Sequence, residues 1–329
     1  MVYSLNRHLF AALKCLSHEE FRSGTDIAAQ LGVSRATLSN ALKDGGRLGI
    51  QIYKVHGRGY RLAAPLDWLD NGGVMRTLGA AAKYFNLEIV DVSVSTNTAM
   101  MERASSGLRS GAVLAAEYQS EGRGRRGRRW FAPLCGGLTF SLLWRFNQGA
   151  AQLSCLSLAV GVAVARALHE LGVLDAQLKW PNDILHHYHK LGGILIELSG
   201  DVLGPTLAVI GVGVNVRIDE ATLSRIDQAT TDLASVLDEL PSRSVLLGQL
   251  LLHLSRILPR FETEGFEPFR AEWLAHHAYQ NRSVRMLLPR NAVEEGVVTG
   301  IADDGSLLID RHGGTKRYTV GEISLIATP

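Results

Sequence analysis

The feature that most constrains the fold is the turn Leu31-Gly32-Val33-Ser34, which separates two short segments with helical apolar spacing. Gly32 can adopt the positive φ that ends a helix, and Ser34 can cap the next helix by accepting from its free amides. Apolar residues also recur at helical spacing before these segments, so residues 5–45 predict three short helices. This pattern is typical of a helix-turn-helix.

Two extended segments follow the predicted helices. Residues 50–55 and 60–62 predict strands, and the Gly/Arg/His-containing stretch 56–59 predicts a short hairpin with a basic tip. Together these elements predict a winged helix-turn-helix. Polar and basic side chains off the apolar face of the third helix, and on the hairpin, are the candidates for DNA contacts: Arg35, Thr37, Ser39, Asn40, Lys43, Lys54 and Arg58. The alternative is an ordinary three-helix packing unit with a solvated polar face.

Charge is distributed unevenly along the chain. The net charge is +2, but residues 1–65 contain nine Lys or Arg and four acidic residues, a local net charge of +5 that leaves −3 for the rest. A basic N-terminal unit on a slightly acidic body predicts that only the first unit meets a polyanion.

Length and composition place the chain among folded globular proteins. Its 329 residues are 46% hydrophobic and 20% charged, which argues against disorder and fibrous repeats. The most apolar run, Leu156–Ala165, is about half of the roughly 20 residues that cross a bilayer. The three cysteines form no Cys-x-x-Cys pair, and the N-terminal residues lack a secretory signal pattern. We therefore expect a cytoplasmic protein without a membrane partner.

The rest of the chain predicts a mixed α+β architecture. Strands are expected at residues 113–118, 137–144, 191–198 and 207–215, and helices at residues 156–171 and 245–260. This combination predicts a sheet with helices packed on it. Short strands around glycine-containing turns in residues 281–329 predict a small closed β unit.

The segment Gly122–Trp130 contains five arginines and three glycines. Such a segment cannot be core, and its arginines repel one another, so we expect a loop that is mobile until an anion enters it. Glycine amides and arginine forks are suited to phosphate oxygens. A nucleic-acid patch is one alternative. A dinucleotide fingerprint is another, although the residues after Trp130 do not open a helix.

A second candidate site segment is Lys179-Trp-Pro-Asn-Asp183, which follows a short alternating stretch. Lys179 is therefore expected at a strand end, where it is a candidate catalytic cation; a solvated lysine is the alternative. Two predicted strands contain glycines, at Gly192-Gly193 and in Gly211-Val-Gly-Val-Asn215. These glycines either let a ligand or backbone approach closely or mark bulges.

Two further clusters have simpler interpretations. Ser95-Thr-Asn97 precedes a helical stretch and predicts an N-cap, which could also hold small polar ligands. His186, His187 and His189 lie in a connector, and no carboxylate or cysteine completes a ligand set with them, so we interpret the run as a loop and predict no metal site.

Taken together, these motifs resemble the bacterial biotin protein ligases of the bifunctional ligase/repressor type, in order and spacing, over the whole chain. The resemblance implies a winged helix at residues 1–65, a catalytic domain with the class II synthetase-like biotin/lipoate ligase fold at 66–276, and an SH3-like barrel at 277–329. It also implies an ATP-dependent ligase that forms biotinoyl-5′-AMP and biotinylates a carboxyl carrier protein, with Mg²⁺ accompanying ATP.

The resemblance also assigns roles to residues. Ser95, Thr96 and Gln119 would hold the biotin ring, and residues 122–128 would close over the adenylate. Lys179 would be the cation between the biotin carboxylate and the α-phosphate, with Arg125 as a second catalytic residue. The full implied binding set is Ser95, Thr96, Asn97, Gln119, Gly122, Arg123, Gly124, Arg125, Arg126, Arg128, Trp130, Lys179, Asn182, Gly192, Gly193 and Asn215.

Partners follow from the same resemblance: the biotin carboxyl carrier protein of acetyl-CoA carboxylase, double-stranded operator DNA and a homodimer when adenylate is bound. Two other functions remain open at this point. One is a ligand-sensing repressor without catalysis, and the other is a lipoate or octanoate ligase.

Overall fold

The computed structural model describes residues 5–200, 204–288, 292–319 and 321–325. Parts of the predicted terminal domains, residues 1–4, 289–291, 320 and 326–329, therefore lie outside the described residues. The described chain forms a small helical unit with a hairpin, a large sheet with helices on both faces and a five-stranded antiparallel sheet. The domain boundaries after residues 65 and 276 stay predictions.

The N-terminal unit confirms the helix-turn-helix prediction. Its helices are α1 (Leu9–Lys14), α2 (Gly24–Gln30) and α3 (Arg35–Lys43), and its hairpin consists of β1 (Ile52–Val55) and β2 (Gly59–Leu62). Gly32 has a φ of +63°, and Ser34 Oγ accepts a hydrogen bond from Thr37 N at 3.0 Å. These residues end α2 and begin α3 as predicted.

This unit packs against the rest of the protein. Its apolar cluster extends to Leu134 and Cys135, which belong to the central unit. Lys14 forms an ion pair with Asp91, and its Nζ lies 5.2 Å from the centroid of the Trp68 ring. Apolar and charged contacts together fix the winged helix on the central unit.

The central unit confirms the mixed-sheet prediction. Its strands are β3 (Asn86–Ser93), β4 (Ala112–Gln119), β5 (Gly137–Phe146), β6 (Ala176–Lys179), β7 (Asp183–His186), β8 (His189–Gly200) and β9 (Thr206–Asn215). Among the described strands the order is β3-β4-β5-β9-β8-β7-β6, with β3 and β4 parallel and the other neighbours antiparallel.

Helices cover the two sheet faces unequally. They are α4 (Asn71–Leu78), α5 (Thr96–Ala104), α6 (Leu156–Glu170), α7 (Glu220–Leu223), α8 (Leu233–Val236), α9 (Arg243–Glu264) and α10 (Glu267–His276). The main core lies between the sheet and the pair α6 and α9. On the opposite face, α5 packs Met100 against Leu143 and Val209 in a smaller cluster. Because α5 is short, part of this second face is left to form a cavity.

Helix α6 is the most apolar helix of the central unit. By length and composition alone, the segment Ala150–Glu170 could cross a membrane, and it is longer than the run singled out from the sequence. However, 72% of its apolar window is buried inside the protein, where α6 packs on α9. This burial is typical of a core helix in a globular protein.

The C-terminal unit is the predicted small β domain. Its strands are β10 (Ser283–Leu287), β11 (Val293–Ile301), β12 (Leu307–Arg311), β13 (Gly314–Tyr318) and β14 (Glu322–Leu325), in the order β13-β12-β11-β10-β14. A register shift between Val298 and Gly300 marks a bulge, which bends a strand. The unit docks on the central one, since Trp180 Nε1 donates to Gly305 O at 2.9 Å.

Candidate active site

The free part of the second sheet face forms a cavity of about 740 Å³. Its floor consists of alternate residues from three neighbouring strands, β5, β9 and β8. Their register places Gly211 opposite Ser141, and Gly213 opposite both Thr139 and Gly193. The start of α5 and the end of β4 form one wall. A cavity of this size accommodates a ligand with the dimensions of a cofactor or nucleotide.

The start of α5 presents buried polar groups that are already ordered. Ser95 is the N-cap and its Oγ accepts from Thr98 N at 3.5 Å, which confirms the predicted cap. Thr96 N donates to Gln119 Oε1 at 2.7 Å, and Thr96 Oγ1 lies 2.8 Å from Ser141 Oγ. The sheet therefore fixes these side chains before any ligand binds.

Asn97 connects α5 to the sheet. Its Nδ2 donates to Leu195 O at 3.1 Å and to Glu197 Oε2 at 3.0 Å, while its Oδ1 lies 2.6 Å from Ser141 Oγ. The residue is 3% exposed. Both amide hydrogens are thus already engaged, so Asn97 positions the wall of the cavity.

Glycines in β9 make room for two side chains. A Cβ at Gly211 would lie 2.1 Å from Asn97 Oδ1, and a Cβ at Gly213 would lie 2.6 Å from the Trp130 indole. The sequence predicted that another group approaches these glycines closely, and in the structure the approaching groups are the side chains of Asn97 and Trp130. The Trp130 Nε1 is buried and has no hydrogen-bond partner among the described residues. It is a donor that a ligand acceptor would satisfy.

The arginine-rich segment forms a hairpin beside the floor. Gly124 N donates to Arg128 O at 2.7 Å, and Trp130 N donates to Gly122 O at 2.8 Å. Arg126 has a φ of +56°, a left-handed conformation that turns the backbone at the tip. The segment thus has a hydrogen-bonded backbone of its own, while the mobility expected from its charge stays a prediction.

Protein carboxylates hold the exposed arginines of the hairpin. Arg123 lies 3.3 Å from Glu197, on β8. Arg128 lies 2.6 Å from Glu322, and Arg126 lies 3.5 Å from the same carboxylate, on β14 of the C-terminal unit. Partly exposed ion pairs therefore hold the hairpin both to β8 of its own unit and to β14 of the C-terminal unit.

Arg125 reaches into the cavity. Its NH1 donates to Asn182 Oδ1 at 3.2 Å, and Asn182 is itself held because its Nδ2 donates to Ile194 O at 2.7 Å. Partial burial, followed by the nearby charge of Arg126, lowers the pKa of Arg125. Both causes disfavour the cation, so an anion beside Arg125 would relieve them.

Lys179 ends β6, as predicted, and its Nζ lies 5.9 Å from the centroid of the Tyr279 ring. Burial lowers the pKa of Lys179, while Asp183 opposite it on β7 acts in the other direction. Lys190 forms a 2.7 Å ion pair with the same Asp183. Two lysines thus share one carboxylate, which leaves positive charge facing the cavity.

Most of the predicted binding residues line this one cavity: Ser95, Thr96, Asn97, Gln119, Arg123, Gly124, Arg125, Arg126, Arg128, Trp130, Lys179, Asn182, Gly193 and Asn215. Gly122 and Gly192 are not in its lining. Gly192 pairs with Val214, whose side chain belongs to the main core on the other sheet face. A Cβ at Gly122 would lie 2.5 Å from Trp130 O, so this glycine serves the hairpin.

Sequence comparison assigns all three units. The biotin/lipoate A/B protein ligase family matches residues 89–215, a helix-turn-helix domain family matches residues 8–61, and the biotin protein ligase C-terminal domain matches residues 280–326. The bifunctional ligase/repressor BirA of Salmonella typhimurium is 34% identical over 316 residues, which cover 95% of this chain and 96% of the relative. The Escherichia coli BirA is 34% identical over 310 residues, 94% of each chain.

The chain belongs to the bifunctional biotin protein ligase/repressor family. Structure comparison agrees. The biotin protein ligase from Aquifex aeolicus, solved in complex with biotin and ATP, matches with a TM-score of 0.62 and 30% identity, over 74% of this chain and 99% of that one. This relationship confirms the fold predicted for the catalytic unit.

Several residues that line the cavity could not be identified from the local sequence. Phe131 lies between two guanidinium groups, with Arg129 at 5.2 Å and Arg225 at 4.5 Å from its ring centroid. Arg225 belongs to a segment in which residues 225–228 and 230 line another wall. Asn215 fixes that wall, because its Nδ2 donates to Lys190 O at 3.2 Å and Thr231 O at 3.0 Å. These contacts join segments far apart in sequence.

The histidine run also has an unpredicted neighbour. Asp175, which precedes β6, lies beside His186 and His187, so a carboxylate does accompany the histidines. The local sequence does not reveal this carboxylate, because Asp175 reaches the histidines only through the register of β6 and β7.

The residues predicted to bind DNA lie on α3 and the wing of this family member. Arg35, Asn40 and Lys43 are exposed on α3. Lys54 Nζ, on the wing, lies 3.5 Å from Ser39 Oγ on α3, so helix and wing form one continuous surface.

Two of these residues also have structural contacts. The Arg58 guanidinium lies 4.6 Å from the centroid of the Phe21 ring, which holds the basic tip of the wing. Thr37 Oγ1 lies 2.9 Å from the capping hydroxyl of Ser34. The cap therefore already occupies the Thr37 hydroxyl.

Proposed function

We propose that this protein activates biotin with ATP to biotinoyl-5′-AMP and pyrophosphate. It then transfers the biotinoyl group to a lysine of the biotin carboxyl carrier protein of acetyl-CoA carboxylase and releases AMP. The observation that carries the proposal is a single cavity that joins a preordered polar wall to a cluster of cations. A neutral ring system fits the first part, and a carboxylate meeting a triphosphate fits the second.

Lys179 acts electrostatically in this proposal. The biotin carboxylate must approach the α-phosphate, and two anions come together only beside fixed positive charge. Lys179 and Lys190 supply that charge next to Asp183, and the approach of an anion favours the charged form of Lys179 against its burial.

The arginine hairpin acts as the cover of the intermediate. The mixed anhydride of biotin and AMP is hydrolysable, so it must be shielded until the carrier lysine arrives. Arg125 projects toward Asn182 within the cavity, and the hairpin backbone already carries hydrogen bonds. Exchange of the Glu197 and Glu322 ion pairs for contacts to the ligand phosphate would close the hairpin over the adenylate.

The polar wall selects the acyl substrate. Ser95, Thr96 and Gln119 present hydroxyl and amide groups that suit the ureido group of biotin, and the Trp130 Nε1 donor is unsatisfied. A lipoyl or octanoyl chain has no ureido group to accept from the buried Trp130 Nε1 donor or to use the remaining hydrogen-bonding capacity of the wall, which is unfavourable. Biotin is therefore the preferred substrate over lipoate.

Mg²⁺ enters with ATP in this proposal. Among the residues that the structure describes, the carboxylates that line the cavity are Asp183, Asp227 and Glu322. Asp183 and Glu322 are each already paired with a cation, at 2.7 Å and 2.6 Å. This donor set does not fit a resident protein-held metal centre, so the ion would be held through the phosphates.

One assay tests the ligase proposal against its alternatives. Purified protein receives ATP, MgCl₂ and either biotin or lipoate, and both pyrophosphate release and label transfer to a carrier domain are measured. Biotin-dependent release and transfer support the ligase. Reaction with lipoate alone would indicate the related acyl ligase, and binding without pyrophosphate release would indicate a sensor without catalysis.

We also propose that the protein is a biotin-responsive repressor of biotin biosynthesis genes. The continuous basic surface of α3 and the wing supports this role. A unit with a net charge of +5 is too weakly charged to hold one site alone at physiological salt. A homodimer formed with adenylate bound would place two α3 helices on successive half-sites.

The repressor proposal is tested by titrating a palindromic operator from a biotin-synthesis promoter, with and without biotin and ATP. We expect tighter DNA binding and dimer formation when both substrates are present, with affinity falling as salt rises. Arg35→Ala and Arg58→Ala should each weaken DNA binding and leave pyrophosphate release unchanged. Equal affinity with and without the substrates would contradict the proposal.

A further inference from the structure

A second group of metal-ligating side chains lies outside the cavity, at the edge of the central sheet. Asp175 immediately precedes β6, His186 ends β7 and His187 begins the turn to β8. The antiparallel register pairs Ala176 with His186, which carries Asp175 to the mouth of the β7–β8 turn. One ligand atom from each of the three side chains lies within 4.8 Å of the others, and His187 Nε2 is 4.0 Å from Asp175 Oδ2.

The turn itself is unusual. His187 and Tyr188 have φ values of +46° and +65°. Glycine and asparagine are the usual residues in two-residue hairpin turns with positive φ, so this turn keeps two large side chains in a rarely adopted backbone conformation. Such conformations are concentrated at functional sites. A contact of 2.9 Å between His189 Nδ1 and His187 O stabilises the turn.

The donor set has a clear preference. Two imidazole nitrogens and one carboxylate oxygen suit Zn²⁺ and neighbouring transition metals, whereas Mg²⁺ and Ca²⁺ prefer oxygen ligands alone. Asp175 and His187 are exposed, so they can rotate to within about 2.0–2.2 Å of one ion.

We propose that Asp175, His186 and His187 form a binding site for Zn²⁺ or a similar transition-metal ion, with solvent completing the coordination. The site lies two aromatic rings away from the cavity. The Tyr188 ring is 5.8 Å from the Tyr279 ring, which is 5.9 Å from Lys179 Nζ. An ion that fixes the turn therefore also restrains Tyr188 and Tyr279, the two rings that lie between the turn and Lys179.

The test is ZnCl₂ binding by the purified full chain, measured by calorimetry and by competition with a chromophoric chelator. We expect the unmodified chain to bind one equivalent of Zn²⁺ tightly. The affinity should fall at least about tenfold in Asp175→Asn and in His187→Ala, because loss of even a hydrogen-bond partner of a metal ligand lowers metal affinity by that much. His312→Ala, at an exposed turn of the C-terminal unit, is the matched control and should bind as the unmodified chain does. MgCl₂ should not compete.

Three outcomes would overturn the proposal. They are no binding of Zn²⁺ by the unmodified chain, unchanged affinity in the double variant His186→Ala/His187→Ala, or thiolate charge-transfer bands when Co²⁺ replaces Zn²⁺, which would place the ion on a cysteine. Circular dichroism of each variant verifies folding. Asp175→Asn is exposed and isosteric, so it keeps the test decisive if a histidine variant is misfolded.

Discussion

The polar wall of the cavity and the arginine hairpin beside it are held in opposite ways. Asn97, on the wall, is buried and makes three contacts of 2.6–3.1 Å to neighbouring strands. The hairpin arginines are exposed and pair with Glu197 and Glu322. Exposed ion pairs contribute only about 0–1 kcal/mol, so ligand phosphates can replace them. In the proposed function, the wall would therefore recognise its ligand by a fixed shape, and the hairpin would do so by exchanging ion-pair partners.

The largest expected effect is at Lys179, which lines the same cavity as the wall and the hairpin. Lys179→Ala should slow adenylate formation by about a hundredfold, because loss of one preorganised charge costs about 3 kcal/mol in the transition state. Truncation at a strand end opens little space, so the melting temperature should change little. Pyrophosphate release under single-turnover conditions gives the rate.

The control for this variant is Lys83→Ala, an exposed lysine on the N-terminal side of β3 that lies outside the cavity lining. Its rate should equal that of the unmodified protein. Near-normal adenylate formation by Lys179→Ala would show that Lys179 has no catalytic role. The hairpin arginines would then have to supply the positive charge.

Alanine variants of two glycines compare the fixed floor of the cavity with the arginine hairpin. Gly211→Ala, in the floor, would place a Cβ 2.1 Å from Asn97 Oδ1, and such overpacking costs about 1–3 kcal/mol. Gly124→Ala, in the hairpin, meets its nearest atom at an ordinary 3.5 Å. We expect lower stability and weaker biotin binding for the first variant only, measured by urea unfolding and calorimetry. Equal effects would show that the floor can adjust.

Local sequence signals predicted much of the fold. The strands β4, β5, β8 and β9, and the helices α6 and α9, were expected within a few residues of their observed ends, because long apolar periodic runs mark them. Helix α4 was not predicted. It begins with Asn71-Gly72-Gly73, which is a poor helix former, and Asp70 caps it by accepting from Gly73 N at 2.6 Å. Its packing on α9 stabilises it.

The site was predicted less completely, and the reason is sequence separation. Lys179 and the hairpin arginines are marked by residue type and local spacing. Their partners are not: Asp183 and Glu322 are ordinary acids until the sheet register and the docking of the C-terminal unit bring them close. Arg225 beside Phe131 is of the same kind. Pairings of this type follow from topology, which one sequence does not encode locally.

A smaller effect is expected at Arg125. Arg125→Gly should release the adenylate about tenfold faster, a change of about 1.4 kcal/mol, while its synthesis slows less. The side chain reaches Asn182 across the cavity, and the other hairpin arginines replace it only in part. Arg125→Lys keeps the charge without the planar fork and should give an intermediate rate. Chase of labelled biotinoyl-adenylate measures release; an unchanged off-rate would contradict the hairpin as a cover.

The smallest expected effect is at Glu322, the carboxylate 2.6 Å from Arg128 and 3.5 Å from Arg126. Its side chain is 33% exposed, so Glu322→Gln should change the free energy of unfolding by less than about 1 kcal/mol. Because the carboxylate competes with ligand phosphates for both arginines, its neutralisation should lower the KM for ATP about twofold. The difference should vanish near 1 M salt, where the screening length falls to about 3 Å. A higher KM in Glu322→Gln would instead show that the ion pair holds the hairpin in its binding position, and the contrast between fixed wall and exchanging hairpin would then be wrong.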